Sequence, residues 1–364
     1  VAIRAALERG GISADELDNV LFGNVVQAGV GPNPARQAAL NGGVPLSVPA
    51  TTINKLCLSG MTAIALADQA IRSGYQTTVL AGGMESMTNA PHLALGARKG
   101  FKYGAGRLED ALDRDALLCA IDGELMGSAT ERYQRPYLLT RSEQDDFAAA
   151  SHEKAAIAIK QGRFAEEIEP VHIRTRMRDL VVDQDEGVRP GTTTADLARL
   201  RPAFGPDGTI TAGSASQLSD GACAVILMDK DEAQRRGLPW IAEVISYGSV
   251  AGPDPSLILQ PARAIQDALR RDGTLTVSDL DIVEINEAFA GVALASTREL
   301  ALSSKIVNPN GGAIALGHPV GMSGARLVLS LALELRRRGG GIGAAALCGG
   351  GGQGDALIIK VPAA

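Results

Sequence analysis

Aromatic residues are scarce in this chain, with one Trp, five Tyr and six Phe making up 3% of its 364 residues. Any core must therefore be built from Ala, Val, Leu and Ile. Cysteine is equally sparse. Cys57, Cys119, Cys223 and Cys348 are too few and too scattered for a disulfide scaffold, and no C-x-x-C pair marks a metal or redox site. A reducing compartment fits this usage. An excess of positive charge is also missing, because 35 basic residues face 41 acidic ones for a formal charge of −6. That balance excludes the electrostatic footprint of a nucleic-acid or anionic-membrane binder. The main basic cluster, Arg336–Arg338, reads as a solvated helix end. No apolar run reaches membrane-spanning length and no signal peptide is visible, so the expected location is the cytoplasm.

What is present is a globular balance, 45% hydrophobic and 21% charged, in a chain long enough for two domains or one large domain with an insertion. Helix and strand patterns alternate near both ends. Val1–Gly10 reads as a helix, Val20–Val26 and Thr77–Ala81 as strands. The last third continues with a helix at Ala262–Arg271, a strand at Ile282–Ile285, helices at Gly291–Leu300 and Met322–Arg338, and strands at Ala344–Leu347 and Ala356–Val361. Such alternation predicts α/β layers. Between them, from about Asn89 to Thr211, charge rises and Gly and Pro punctuate the chain, which predicts an inserted, loop-rich region. Its clearest helix is Thr140–Gln161, opened by the capping signal Thr140-Arg141-Ser142-Glu143. His152 within it reads as a surface or internally satisfied histidine. Gly221–Met228 and Trp240–Tyr247 return to strand character, with Cys223 as packing.

The chemistry centres on Thr51–Gly74, where an extended run ends at Cys57 and an apolar helix begins, with Ser59 predicted to cap it. A thiol at a helix start feels unpaired N–H groups, which predicts a lowered pKa. Taken alone, Cys57 would still be read as a small buried hydrophobe. Two glycine-rich loops add to it: one holds His318 between Gly317 and Pro319, the other follows Cys348. Gly349–Gly354 formally contains G-x-G-x-x-G, but the following residues read as a terminal strand where a dinucleotide site needs a helix. Exposed backbone N–H groups for an oxyanion make better sense there. The segments beginning SGMTAIALADQAIRSG and SGARLVLSLALELRRRGG share one plan, which suggests a duplicated half.

NKLCLSG, AGGMESM, GTITAGSASQLSDGA, EINEAFA, NPNGGAIALGHPVGMSGAR and ALCGGGGQGDALI, in this order and spanning nearly the whole chain, resemble the thiolase family, most of all its bacterial acetyl-CoA acetyltransferase branch. The resemblance implies a five-layer α-β-α-β-α fold of two duplicated halves with an inserted loop domain. Residues 1–90, completed by about 218–240, would form the first half and residues 241–364 the second. Residues 91–217 would cover the active site and hold coenzyme A. It also implies reversible acyl transfer between a cysteine thioester and coenzyme A, with coenzyme A thioesters as substrates, no cofactor, no metal, and a homodimer or homotetramer.

By the same resemblance, Cys57 would be the acylated nucleophile, His318 its activating base, and Cys348 the acid/base acting on the α-carbon. One oxyanion site would combine His318 with a water held by Asn286, the other the backbone N–H groups of Cys57 and Gly350. Arg189, Phe204, Ala212 and Ser216 would contact coenzyme A, with Leu117, Met126, Ala288 and Phe289 along the pantetheine and acyl end. Without the family context, Arg189 is a solvated charge, and Phe204, Leu117 and Met126 are packing residues.

Three departures from the family pattern stand out. Its usual opening strand and arginine-threonine turn are not represented, Leu125 stands where short-chain relatives often have histidine, and Ser214–Gln217 replaces an asparagine-containing loop. Rival readings are a broader-chain 3-ketoacyl-CoA thiolase, a decarboxylating ketoacyl synthase, a non-catalytic acyl-CoA-binding relative and a thiol-redox protein. Cys348 in the second-base position argues against the synthase, the intact set of Cys57, Asn286, His318 and Cys348 against the non-catalytic relative, and the lack of C-x-x-C against redox chemistry.

Overall fold

The computed structural model describes residues 1–175 and 178–363. Two four-stranded sheets carry the fold. The first has the order Asp220–Met228, Thr78–Ser86, Asn19–Gly23, Ala50–Ile53. The last three of these strands run parallel, and Asp220–Met228 returns antiparallel along Thr78–Ser86. The second sheet has the order Glu243–Ala251, Gln353–Val361, Gly341–Gly349, Ile282–Ile285. Ile282–Ile285 and Gly341–Gly349 are parallel there, and the other pairings are antiparallel.

Side chains alternate across each strand, so one strand feeds two apolar layers. Val20, Phe22 and Leu80 turn outward to pack with Ile3, Leu7, Ala35 and Ala39 of the helices Ala2–Gly10 and Pro34–Asn41. Leu21, Val79 and Ala81 turn inward, into a core shared with Ala345, Leu347, Leu357 and Ile359 of the second sheet. Between the sheets lie the helices Ser59–Arg72 and Ser323–Arg337, whose Met61, Ile64, Leu327 and Leu331 fill that core. On the far side, Ala344, Ala346, Ala356 and Ile358 meet the helix Gln260–Asp272 and Ala293 of the helix Ala290–Glu299. The result is a five-layer α-β-α-β-α sandwich. The two middle helices approach at backbone distance. A Cβ on Gly60 would stand 2.8 Å from the Met322 carbonyl oxygen, and one on Gly324 would stand 2.5 Å from the Met61 nitrogen.

Between Ser86 and Asp220 the chain leaves the first sheet and forms short hairpins and helices. Arg141–Lys160 is the longest helix of this excursion, capped by Thr140 and Glu143 reciprocally. A cavity of about 1040 Å³ borders the His318 loop at Gly317, Pro319 and Met322. It runs along the outer edge of Asp220–Met228, bordered by Ala6, Arg9, Ile71 and Trp240. In the other half, the corresponding edge of Gln353–Val361 is paired with Glu243–Ala251.

One buried carboxyl sits on the inner face of the second sheet. Glu284 is 2% exposed, its Oε2 has no hydrogen-bond partner among the described residues, and burial pushes it up to about 8. Its native form therefore holds a proton that the unfolded chain releases near its ordinary value of 4.5. The stabilisation is complete below that value and fades as pH rises through about 8. Glu284→Gln is thus expected to gain stability relative to the parent as pH rises. Thermal melts at pH 5 and pH 8.5 check this, and an equal shift at both pH values would contradict it.

Candidate active site

The loop before the helix Ser59–Arg72 is tightly prescribed. Leu56 takes a left-handed conformation, φ 53°, which costs a branched residue energy and persists only when its surroundings impose it. Here they do. The Leu56 N–H donates to Asn54 Oδ1 at 3.1 Å, Leu58 N–H to the Lys55 carbonyl at 3.2 Å, and Ser59 N–H to the Leu56 carbonyl at 3.0 Å. Ser59 Oγ accepts from Lys55 N–H at 2.8 Å and donates to the Leu56 carbonyl at 2.6 Å. Ser59 is therefore a brace inside the first turn, not the N-cap; that position falls to Leu58, which has no capping side chain.

Cys57 at the crest of this loop is buried. The lowered pKa expected at a helix start is overturned, because burial pushes the thiol up to about 12. The Glu85 carboxylate adds to the rise, while the N–H groups of Cys57 itself and of Gly350 partly oppose it by donating to the sulfur. Desolvation outweighs the helix terminus, so Cys57 rests as a thiol and needs a base. Those two N–H groups are the pair expected to stabilise an oxyanion.

Cys348, next to last in the strand Gly341–Gly349, is also raised, first by burial and then by the proximity of Cys57. The fold thus brings together two sulfurs that lie 291 positions apart in sequence (348 minus 57). Gly350 sits directly beneath Met126 and Leu56, and a Cβ there would collide with the Met126 methyl and stand 2.6 Å from Leu56 Cδ1. Only glycine lets the backbone N–H lie under that apolar cover.

His318 is buried and its protonation pattern follows from its neighbours. Ser323 Oγ donates to the Pro319 carbonyl at 2.9 Å, which leaves it to accept from His318 Nδ1–H at 2.6 Å. Nε2 then carries the lone pair and accepts from Asn286 Nδ2 at 3.3 Å. Burial, then the Arg326 charge, lower the imidazole to about 4, so it is neutral near pH 7. Asn286 is fully buried, and its Oδ1 has no partner among the described residues. That leaves an acceptor free for a water or a substrate group.

Of the remaining expected residues, Met126 and Ala288 are buried in one cluster with Cys348, with Leu56 and Phe289 packed against it. Phe289 meets Phe204 edge to face, centroids 5.9 Å apart, and the Phe204 ring lies over Gly127. Ser216 N–H donates to the Ala288 carbonyl at 3.0 Å, which joins its loop to this wall. Leu117 packs against the central core that contains Cys57. Arg189 and Ala212 are exposed. The Arg189 N–H donates to Nδ1 of the buried His152 at 3.2 Å, so that histidine is an internal anchor.

Three supporting residues were missed from sequence. Glu85 accepts from Val25 N–H at 2.9 Å, Val26 N–H at 3.2 Å, Asn24 Nδ2 at 2.9 Å and Gly321 N–H at 3.0 Å, fastening the His318 loop to the first sheet. Its signal was a lone carboxylate in the glycine-flanked AGGMESM. Ser323 lay inside the quoted histidine motif. Asp355, a fully buried carboxylate in a terminal strand of apolar residues, carried no role.

The family model for the thiolase N-terminal domain matches residues 1–231, and that for the thiolase C-terminal domain matches residues 238–361. The chain belongs to the thiolase family. Among relatives of this thiolase, a probable acetyl-CoA acetyltransferase of Mycobacterium tuberculosis is 56% identical over 361 residues, 99% of this chain and 92% of the relative. An acetyl-CoA acetyltransferase of Rhizobium meliloti is 48% identical over 360 residues, 99% of this chain and 91% of the relative. The crystal structure of the Bacillus anthracis acetyl-CoA acetyltransferase superposes with a TM-score of 0.95 at 40% identity, over 99% of this thiolase and 91% of that chain. No helix among the described residues is long and apolar enough to cross a membrane.

Proposed function

We propose that this thiolase is an acetyl-CoA C-acetyltransferase, interconverting two acetyl-CoA with acetoacetyl-CoA and coenzyme A. Support comes from two buried thiols held near each other and from a neutral His318 whose Nε2, facing Asn286, carries the lone pair that a base needs. In the cleavage direction, His318 Nε2 removes the Cys57 proton as Sγ attacks the keto carbonyl. The N–H groups of Cys57 and Gly350 hold the oxygen charge. As the carbon–carbon bond breaks, the departing enolate of acetyl-CoA, stabilised by His318 and a water on Asn286, takes the proton of Cys348. The imidazolium proton restores Cys348. A coenzyme A thiol then attacks the Cys57 thioester, gives up its proton through the same groups, and leaves Cys57 as a thiol. Condensation is the reverse sequence.

The raised pKa of Cys348 supports this order, since a thiol is the acid form that cleavage consumes. The Met126, Ala288, Phe289 and Phe204 wall, continued by Leu117 and by Ser216, Ala212 and Arg189, would guide pantetheine from coenzyme A to the sulfurs. Residues 91–217 would act as the loop domain inserted between the halves 1–90 with 218–240 and 241–364. A cytoplasmic homodimer or homotetramer is the proposed working form, supported by the exposed Phe101, Tyr103 and Leu108 on one surface segment. Incubation with acetoacetyl-CoA followed by acid quench and peptide mass spectrometry is expected to show one acetyl group, on Cys57. Unlabelled Cys57 in folded protein would overturn the assignment.

A further inference from the structure

We propose that Lys55 and Asp355 are a positioning pair that holds the loop of Cys57 in register with the strand of Cys348, so that carbon–carbon bond formation depends on them more than Cys57 acetylation does. The inference rests on the roles proposed above for the two sulfurs. Asp355 is fully buried on the strand Gln353–Val361 and lies opposite Leu347, next to the Cys348 and Gly354 pair of the ladder. Its Oδ1 accepts from Lys55 Nζ at 2.7 Å and its Oδ2 from Thr62 Oγ1 at 2.9 Å. Lys55 and Thr62 stand on either side of Cys57 in the chain. One carboxylate of the second half therefore grips the nucleophile-bearing segment of the first half from both flanks.

The lysine is held as firmly. Its three ammonium protons point to Asp355, to Ser249 Oγ at 2.9 Å and to Tyr247 OH at 3.4 Å, and both hydroxyls lie on the neighbouring strand Glu243–Ala251. Burying such a pair costs desolvation that well-packed apolar residues would avoid, so its contribution lies in direction and distance. The left-handed Leu56, immediately after Lys55, is the segment that would relax if the grip were lost. Acetylation needs Cys57, His318 and the N–H pair, of which only the Gly350 N–H belongs to the Cys348 hairpin. Condensation needs, in addition, the Cys348 sulfur aligned with the acetyl carbon.

The test compares Lys55→Met, Asp355→Asn, the double variant Lys55→Met/Asp355→Leu and Thr62→Val with the parent. Two rates are read: Cys57 acetylation by acetyl-CoA in quenched mass spectrometry, and acetoacetyl-CoA formation at saturating acetyl-CoA. Lys55→Met leaves the buried Asp355 charge uncompensated and Asp355→Asn leaves the half-buried Lys55 charge so, whereas the double variant leaves neither, and Thr62→Val keeps the ion pair and removes one hydrogen bond. The expected result for the double variant is a loss of about a hundredfold in condensation with less than about a threefold loss in acetylation. Thr62→Val should shift the ratio in the same direction by about threefold. Proportional loss of both rates, or a ratio unchanged in Thr62→Val, overturns the proposal while leaving the site reading intact. A parent protein that never acetylates Cys57 overturns both.

Discussion

Replacing Cys348 by alanine is expected to leave Cys57 acetylation by acetyl-CoA within a few-fold of the parent and to slow acetoacetyl-CoA formation by about 10³-fold or more. The asymmetry follows from geometry. In the proposed mechanism Cys57 is served by His318 and by two N–H donors, and none of these is the Cys348 side chain. The other two thiols have different settings, Cys119 buried on the short hairpin strand Leu118–Cys119 and Cys223 buried on the strand Asp220–Met228. Losing one buried sulfur also opens only a small void, so folding should survive. Quenched mass spectrometry and condensation rates on the same preparation check both halves of the expectation. Condensation persisting near the parent rate would mean that another group moves the proton.

The second large effect is expected from His318→Ala, which should slow Cys57 acetylation by about 10²- to 10⁴-fold. Because burial lifts the Cys57 thiol to about 12, almost none is thiolate at neutral pH without a base. The same burial gives the parent a distinctive pH profile. An imidazole lowered to about 4 keeps its lone pair well into acid, so acetylation should not fall off near the ordinary histidine value of 6.5. Stopped-flow acetylation between pH 4.5 and 8 reads this directly, and a limb centred near 6.5 would show that His318 titrates as a solvated histidine.

The layers were readable in the sequence because their signals are local. The period of the apolar residues alone placed the helices Gln260–Asp272 and Ser323–Arg337 and the strand Ile282–Ile285. Strand ends were less legible where glycine stands. Thr78–Ser86 continues through Gly82 and Gly83, which look like a turn, because the Phe22 ring and the Gly321 backbone occupy the space a side chain would fill. Gly341–Gly349 extends beyond Ala344–Leu347 for a related reason, its ladder partners compensating for weak local propensity. The expectation of a catalytic set came from motif order, and the fold sets Cys57 and Cys348 near each other. The electrostatics were not: local reasoning gave Cys57 a lowered pKa, and desolvation by distant segments reversed it. The roles of Glu85, Ser323 and Asp355 were invisible for the same cause, since each partner lies on another segment or depends on side-chain direction.

The contact of Gly60 with Met322 and of Gly324 with Met61 brings the central helices to backbone contact at their crossing, with no side chain between them there. Packed interfaces of this kind do not slide or open by small increments. The halves should therefore unfold as one cooperative block, and no hinge between them is available for turnover. Whatever motion admits a long thioester must come from the polypeptide that lies over the sulfurs, and hydrogen exchange should be slowest at that glycine crossing.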